Sequence, residues 1–174
     1  GLTPDESMAF EARRLIGLSD SFIRVNDYQS AANAAQDVLS LLDAVLREDH
    51  PGLATPLHRL GVALRGLGRH TEALEVLNRA RAIVERWGGP DDSLFFLIDI
   101  AITHASNGEI ESAVQLLDDV LSRHFADREG DLRTIGSAVQ WLGLLLARMD
   151  QNQEAFPNFR EGLGLATRMT RQVL

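Results

Sequence analysis

The chain has 174 residues, 45 % apolar and 24 % charged, a balance suited to one folded domain or one repeat array with a real core. Its net charge of −8 excludes a broad phosphate-neutralising face, and its most apolar run, "LFFLIDIAI", is half the roughly 18 residues of a membrane span. Cysteine is absent and all 17 basic residues are arginine, which excludes disulfides, thiolate metal sites, a Schiff-base lysine and a P-loop.

Apolar residues recur at three-to-four spacing almost throughout, and nowhere with the period of two of a strand. In chain order this predicts helices over 8–25, 31–46, 53–67, 74–87, 94–105, 110–125, 132–149 and 155–173. The breaks between them, such as "RVNDYQ", "REDHPG", "SNGE" and "RMDQNQ", are short, polar and rich in helix-stopping residues. The stretch "LGVALRGLGRHTEAL" holds three glycines, but no strand precedes it and no lysine follows, so it is a turn rather than a phosphate loop. Gly68 ends one helix in the left-handed conformation, and Thr71 is the expected cap of the next.

The chain repeats internally. "GRHTEALEVL" overlays "GEIESAVQLL", and both align with "NDYQSAANAA" and "DQNQEAFPNF". This places Ala31, Ala73, Ala113 and Ala155 in register, 42, 40 and 42 residues apart. Twelve positions before each alanine stands a small residue: Ser19, Gly61, Ala101 and Gly143. Small residues at paired sites let two helices of a hairpin approach closely.

The pattern resembles the tetratricopeptide repeat, W-x2-L-G-x2-Y followed by A-x3-F. The second repeat reads Leu57-x2-Leu60-Gly61-x2-Leu64, then Ala73-x3-Leu77. The third reads Leu97-x2-Ile100-Ala101-x2-His104, then Ala113-x3-Leu117; the fourth reads Val139-x2-Leu142-Gly143-x2-Leu146, then Ala155-x3-Phe159. The first, Leu15-x2-Leu18-Ser19-x2-Phe22 and Ala31-x3-Ala35, departs furthest. No repeat has the tryptophan or the closing proline, and the period exceeds the usual 34 by about eight residues, equivalent to roughly one extra turn per helix. The resemblance implies an all-α, right-handed α-solenoid of four antiparallel hairpins and eight helices, with repeats over about 12–50, 54–90, 94–130 and 136–174 of one domain. The long repeats look similar to those of bacterial peptide-sensing regulators and large ATP-dependent transcription activators.

In this family the first helix of each hairpin lines a concave groove. Carried over position by position, the expected groove residues are Arg13, Asp20 and Arg24, then His58, Val62 and Arg65, then Phe95, Ile98 and Ile102, then Gln140, Leu144 and Arg148. Ile16, Ile23 and Gly66 fall at further groove positions. Arginine's planar fork matches carboxylates. The expected activity is therefore non-enzymatic capture of a protein or peptide with apolar anchors and acidic flanks, in the cytoplasm, without a cofactor and without direct nucleic-acid or membrane contact. The family's carboxylate clamp needs Lys and Asn where this chain has Ile16, Asp20, His58 and Val62, so chaperone-tail binding is not expected.

Two alternatives remain at this point: a peptide-sensing regulatory domain, and a homodimerisation domain using the striped end face of Phe159, Leu163, Ala166 and Met169. That face either continues into further domains of a longer chain or meets a second copy. Phe95, Ile98 and Ile102 are read first as part of a helix covered by its neighbours, and second as an exposed anchor pocket. His104 reads as a packed residue. The histidines show no H-E-x-x-H or close pairing, so no metal site is expected, and the adjacent Asp118 and Asp119 point apart on a helix and do not suggest catalysis.

Overall fold

A computed structural model describes residues 3–88, 93–127 and 132–148. Among these residues the helices are α1 (Pro4–Arg24), α2 (Tyr28–Asp43), α3 (Ala54–Gly66), α4 (His70–Trp87), α5 (Leu94–Ser106), α6 (Ile110–Asp127) and α7 (Leu132–Arg148), with one 3-10 turn at Pro51–Leu53. The eighth expected helix, with Ala155, Phe159 and Met169, lies outside the described residues. The chain divides into two compact units, Gly1–Pro90 and Asp91–Leu174, and the division falls between the second and third repeats.

Helix α1 begins four residues before the apolar stripe. Thr3 and Glu6 form a capping box: Glu6 N–H donates to Thr3 Oγ1 at 3.3 Å, and Thr3 N–H donates to Glu6 Oε2 at 2.8 Å. Pro4 occupies the first helical position, where its missing N–H costs nothing.

Three hairpin turns share one geometry. Asn26, Gly68 and Gly108 take positive φ of 60°, 76° and 86°, and they stand 42 and 40 residues apart in the alanine register. Asp27, Arg69 and Glu109 then donate their N–H groups back to the carbonyls of Phe22, Leu64 and His104, each at 2.9 Å. These bonds satisfy carbonyls that the helix end would otherwise orphan. The turn is so short that α4 starts at His70. Thr71 therefore does not cap it; Arg69 takes that position and grips Glu72 through bonds of 2.8 and 2.5 Å.

In the first unit α2 packs on α1 and α3, and α3 on α4. The small residues twelve before each alanine sit where the helices close. Ser19, buried, donates its hydroxyl to the Ala31 carbonyl at 3.0 Å. At Gly61 a β-carbon would lie 2.5 Å from Leu77 Cγ, so only glycine permits this contact. Val38, Leu53, Leu57 and Leu77 are fully buried between the helices, each worth roughly 2 kcal/mol against exposure. The segment after α2 is tied to the end of α4: Arg86 Nη1 meets Asp49 Oδ2 at 2.7 Å, and Trp87 Nε1 donates to the Asp49 carbonyl at 2.7 Å.

In the second unit α6 packs between α5 and α7. Ala101 and Ala113, the third small–alanine pair, are fully buried with Leu117, Val120, Leu121, Leu142 and Leu145. Eight of the 13 residues of α5 are buried, which accounts for a helix apolar nearly all round. In the second and third hairpins the second helix is the longer, with α4 and α6 at 18 residues against 13 for α3 and α5, whereas in the first hairpin α1 runs 21 residues against 16 for α2.

Candidate protein-interaction face

The expected groove residues of the first unit lie on α1 and α3. Arg13 and Arg24 are eleven residues apart on α1, three turns along one face at about 3.6 residues per turn. Both are exposed, and their guanidinium groups meet uncharged acceptors: Arg13 Nε donates to the Ala9 carbonyl at 3.2 Å, and Arg24 Nη2 to Ser21 Oγ at 3.1 Å. Neither faces a carboxylate among the described residues. Other arginines do: Arg14 with Glu11 at 2.6 Å, Arg69 with Glu72 at 2.5 Å, Arg81 with Glu85 at 2.9 Å and Arg123 with Asp119 at 2.8 Å. Ile16 and Ile23, between and beside the two α1 arginines, are half-buried.

Asp20 is engaged. Arg59 reaches across from α3, forms an ion pair with the Asp20 carboxylate and donates Nη1–H to His58 Nδ1 at 2.8 Å. Because a guanidinium only donates, Nδ1 of His58 is the acceptor in this contact. His58 is 6 % exposed and so offers little ring surface to a ligand, while Val62 and Arg65 are half-buried. Gly66 serves packing: a β-carbon there would meet the Tyr28 ring at 2.4 Å. Arg59 and Tyr28 escaped the sequence reading because a side chain that bridges two helices leaves no periodic mark.

In the second unit the anchor pocket of Phe95, Ile98 and Ile102 does not form. Ile98 is 5 % exposed within the core, and Ile102 packs against the same cluster, because α6 and α7 cover that side of α5. Phe95 is 47 % exposed and meets Phe96 edge-on, with ring centroids 5.6 Å apart. On α7, Gln140 is exposed and Leu144 is 52 % exposed. Arg148 ends α7, and its side chain lies outside what is described. His104 is half-buried and pairs with Glu109 across its turn, with Asn107 Nδ2 donating to the other Glu109 oxygen at 2.6 Å. These two bonds, His104 first and then Asn107, hold Glu109 below the usual carboxylate range.

Among the described residues no group of His, Asp and Glu is placed to hold a metal ion, and no helix is long and apolar enough to cross a membrane.

Residues 52–124 match the tetratricopeptide repeat family model. An Arabidopsis thaliana protein, Kinesin Light Chain-Related 3, is 26 % identical over 149 residues, covering 84 % of this chain. The chain spans only 23 % of that relative's length. Among solved structures, a Podosopora anserina protein described as a kinesin light chain with nearly identical TPR-like repeats superposes with a TM-score of 0.69 at 20 % identity, over 92 % of this chain and 76 % of that one. BtubC (BKLC) from P. vanneervenii gives 0.76 at 15 % identity, over 99 % of this chain and 66 % of that one. At these identities the structural likeness speaks to fold, and the described residues are all-α, paired in hairpins of tetratricopeptide type. The repeated turns and the small-residue–alanine pairs agree with that match, and residues 52–124 carry the tetratricopeptide repeat.

Proposed function

We propose that this chain is a non-enzymatic interaction module whose first-helix face in the first unit captures a peptide with an apolar anchor flanked by acidic residues. Tetratricopeptide repeats support protein binding in general; the charge of the ligand is the finer reading. It is carried by one observation: Arg13 and Arg24 share a face of α1 and meet no carboxylate among the described residues, in a protein whose net charge is −8. A guanidinium so placed is available for a bidentate bond to an incoming carboxylate, and Ile16 and Ile23 supply apolar surface beside it. Asp20, already paired with Arg59, does not compete.

Fluorescence anisotropy with a labelled Glu-Asp-Leu-Ile-Asp-Glu peptide, and with the same core flanked by arginines, tests this. The acidic peptide should bind wild type at least tenfold more tightly than the basic one, with affinity falling as salt rises. The double variant Arg13→Glu, Arg24→Glu, checked for native helicity, should reverse that order. Equal binding of both peptides, or of the acidic peptide by wild type and variant, overturns the reading.

A further inference from the structure

A second site lies on the opposite side of α3. The first unit holds a cleft of about 260 Å3 between α2 and α4, with the edges of Leu60 and Leu64 at its base. Those leucines stand two residues from His58 and Val62, about 200° around the helix at roughly 100° per residue, so the cleft faces away from the groove positions.

The α2 wall is a ladder of amides: Gln29, Asn33 and Gln36. Gln29 Nε2 donates to Asn33 Oδ1 at 3.0 Å, which leaves the Gln29 carbonyl and the Asn33 amide N–H groups unused. Gln36 has no hydrogen-bond partner among the described residues. On the α4 wall Arg69 and Glu72 neutralise one another, whereas Glu75 has no partner among the described residues. The cleft thus combines an apolar base, uncharged groups that both donate and accept, and one uncompensated negative charge.

We propose that this cleft binds an extended peptide segment carrying an aliphatic side chain next to a lysine or arginine. Each amide side chain offers a donor and an acceptor to the C=O and N–H of a peptide unit. Gln29 and Asn33 are separated by four residues, about 6 Å of helix rise, and alternate residues of an extended strand repeat at roughly 6.7 Å. Gln29 and Asn33 therefore meet alternate peptide units on one edge of the strand, and Gln36, a turn further along α2, offers a further donor and acceptor. The aliphatic side chain seats on Leu60 and Leu64, and the basic group pairs with Glu75. The uncompensated charge of Glu75 disfavours phosphate ligands.

The test uses fluorescein-labelled peptides Gly-Ser-Gly-Ser-Leu-Ser-X-Ser-Gly-Ser, with X as Arg, Gln or Glu. The Arg peptide should bind wild type at least tenfold more tightly than the Glu peptide. Glu75→Arg, on the exposed face of α4, should invert that order, and Asn33→Ala with Gln36→Ala should weaken every peptide at least fivefold. Excess Glu-Asp-Leu-Ile-Asp-Glu peptide should leave the Arg peptide bound, which separates this site from the groove. Indifference to X, indifference to Glu75→Arg, or displacement of the Arg peptide by the acidic peptide each overturns the proposal.

Discussion

Leu77 of α4 closes on Gly61 of α3 so tightly that a β-carbon at position 61 would sit 2.5 Å from Leu77 Cγ and 2.7 Å from Cδ2. Gly61→Val should therefore destabilise the first unit by about 1–3 kcal/mol through overpacking. Leu77→Ala should cost about 2–5 kcal/mol through its cavity. Combined, the two should cost less than their sum, because the cavity admits the added side chain. Urea denaturation of all three variants checks this; strict additivity would show that the two residues do not share the contact.

The three left-handed turn residues predict effects of opposite sign. Gly68→Ala and Gly108→Ala place a β-carbon in a conformation that costs an L-residue about 1–2 kcal/mol, so each should lower the urea midpoint. Asn26→Gly removes that strain from the first turn and should be neutral or stabilising by a few tenths of a kcal/mol, the gain offset by the freer unfolded chain. A loss above about 1 kcal/mol for Asn26→Gly would mean that its side-chain bond from the Tyr28 hydroxyl, 2.8 Å, governs the turn instead.

Ser19→Ala should cost about 1 kcal/mol, since the Ala31 carbonyl loses the hydroxyl at 3.0 Å while staying within its helix. Ser19→Leu should cost more, because the site is fully enclosed. Equal effects of the two substitutions would show that only the hydrogen bond matters.

Acid should weaken the hairpin turns. Glu72, hydrogen-bonded by Arg69, and Glu109, hydrogen-bonded by His104 and Asn107, are both held below the ordinary value of 4.5. A carboxylate with a lowered folded-state pKa contributes stability that is fully present above its unfolded value and is lost as pH falls through the folded one. Melting temperature should thus drop below about pH 4.5, and Glu72→Gln should show a shallower drop than wild type over the same range. An identical acid profile for the variant would remove Glu72 from the linkage.

The seven described helices and the first three hairpin turns were legible because apolar spacing and the alanine register repeat, and repetition multiplies a weak signal. Residues at Gly61, Ala73, Ala101 and Ala113 are buried where that register places them. The site was legible only in part. Ile98 and His58 occupy groove positions by count, yet packing buries them, since position within a repeat fixes the face of a helix and not what covers it. The Asp20–Arg59 pair and the Arg86–Asp49–Trp87 tie join residues 37 to 39 apart, a distance with no periodic trace. The capping box at Thr3 and Glu6 was readable in "TPDE" and lengthens α1 beyond its apolar stripe.

The bonds that close each Schellman turn span at most five residues, from Asp27 to Phe22, from Arg69 to Leu64 and from Glu109 to His104. Sealing a hairpin bend therefore requires almost no chain to be searched, and the contact order of these events is minimal. Any of the three bends is equipped to nucleate, after which growth proceeds between neighbouring helices. Refolding should accordingly be fast and tolerant of lesions in a single bend, with parallel routes carrying the flux when one start is disabled.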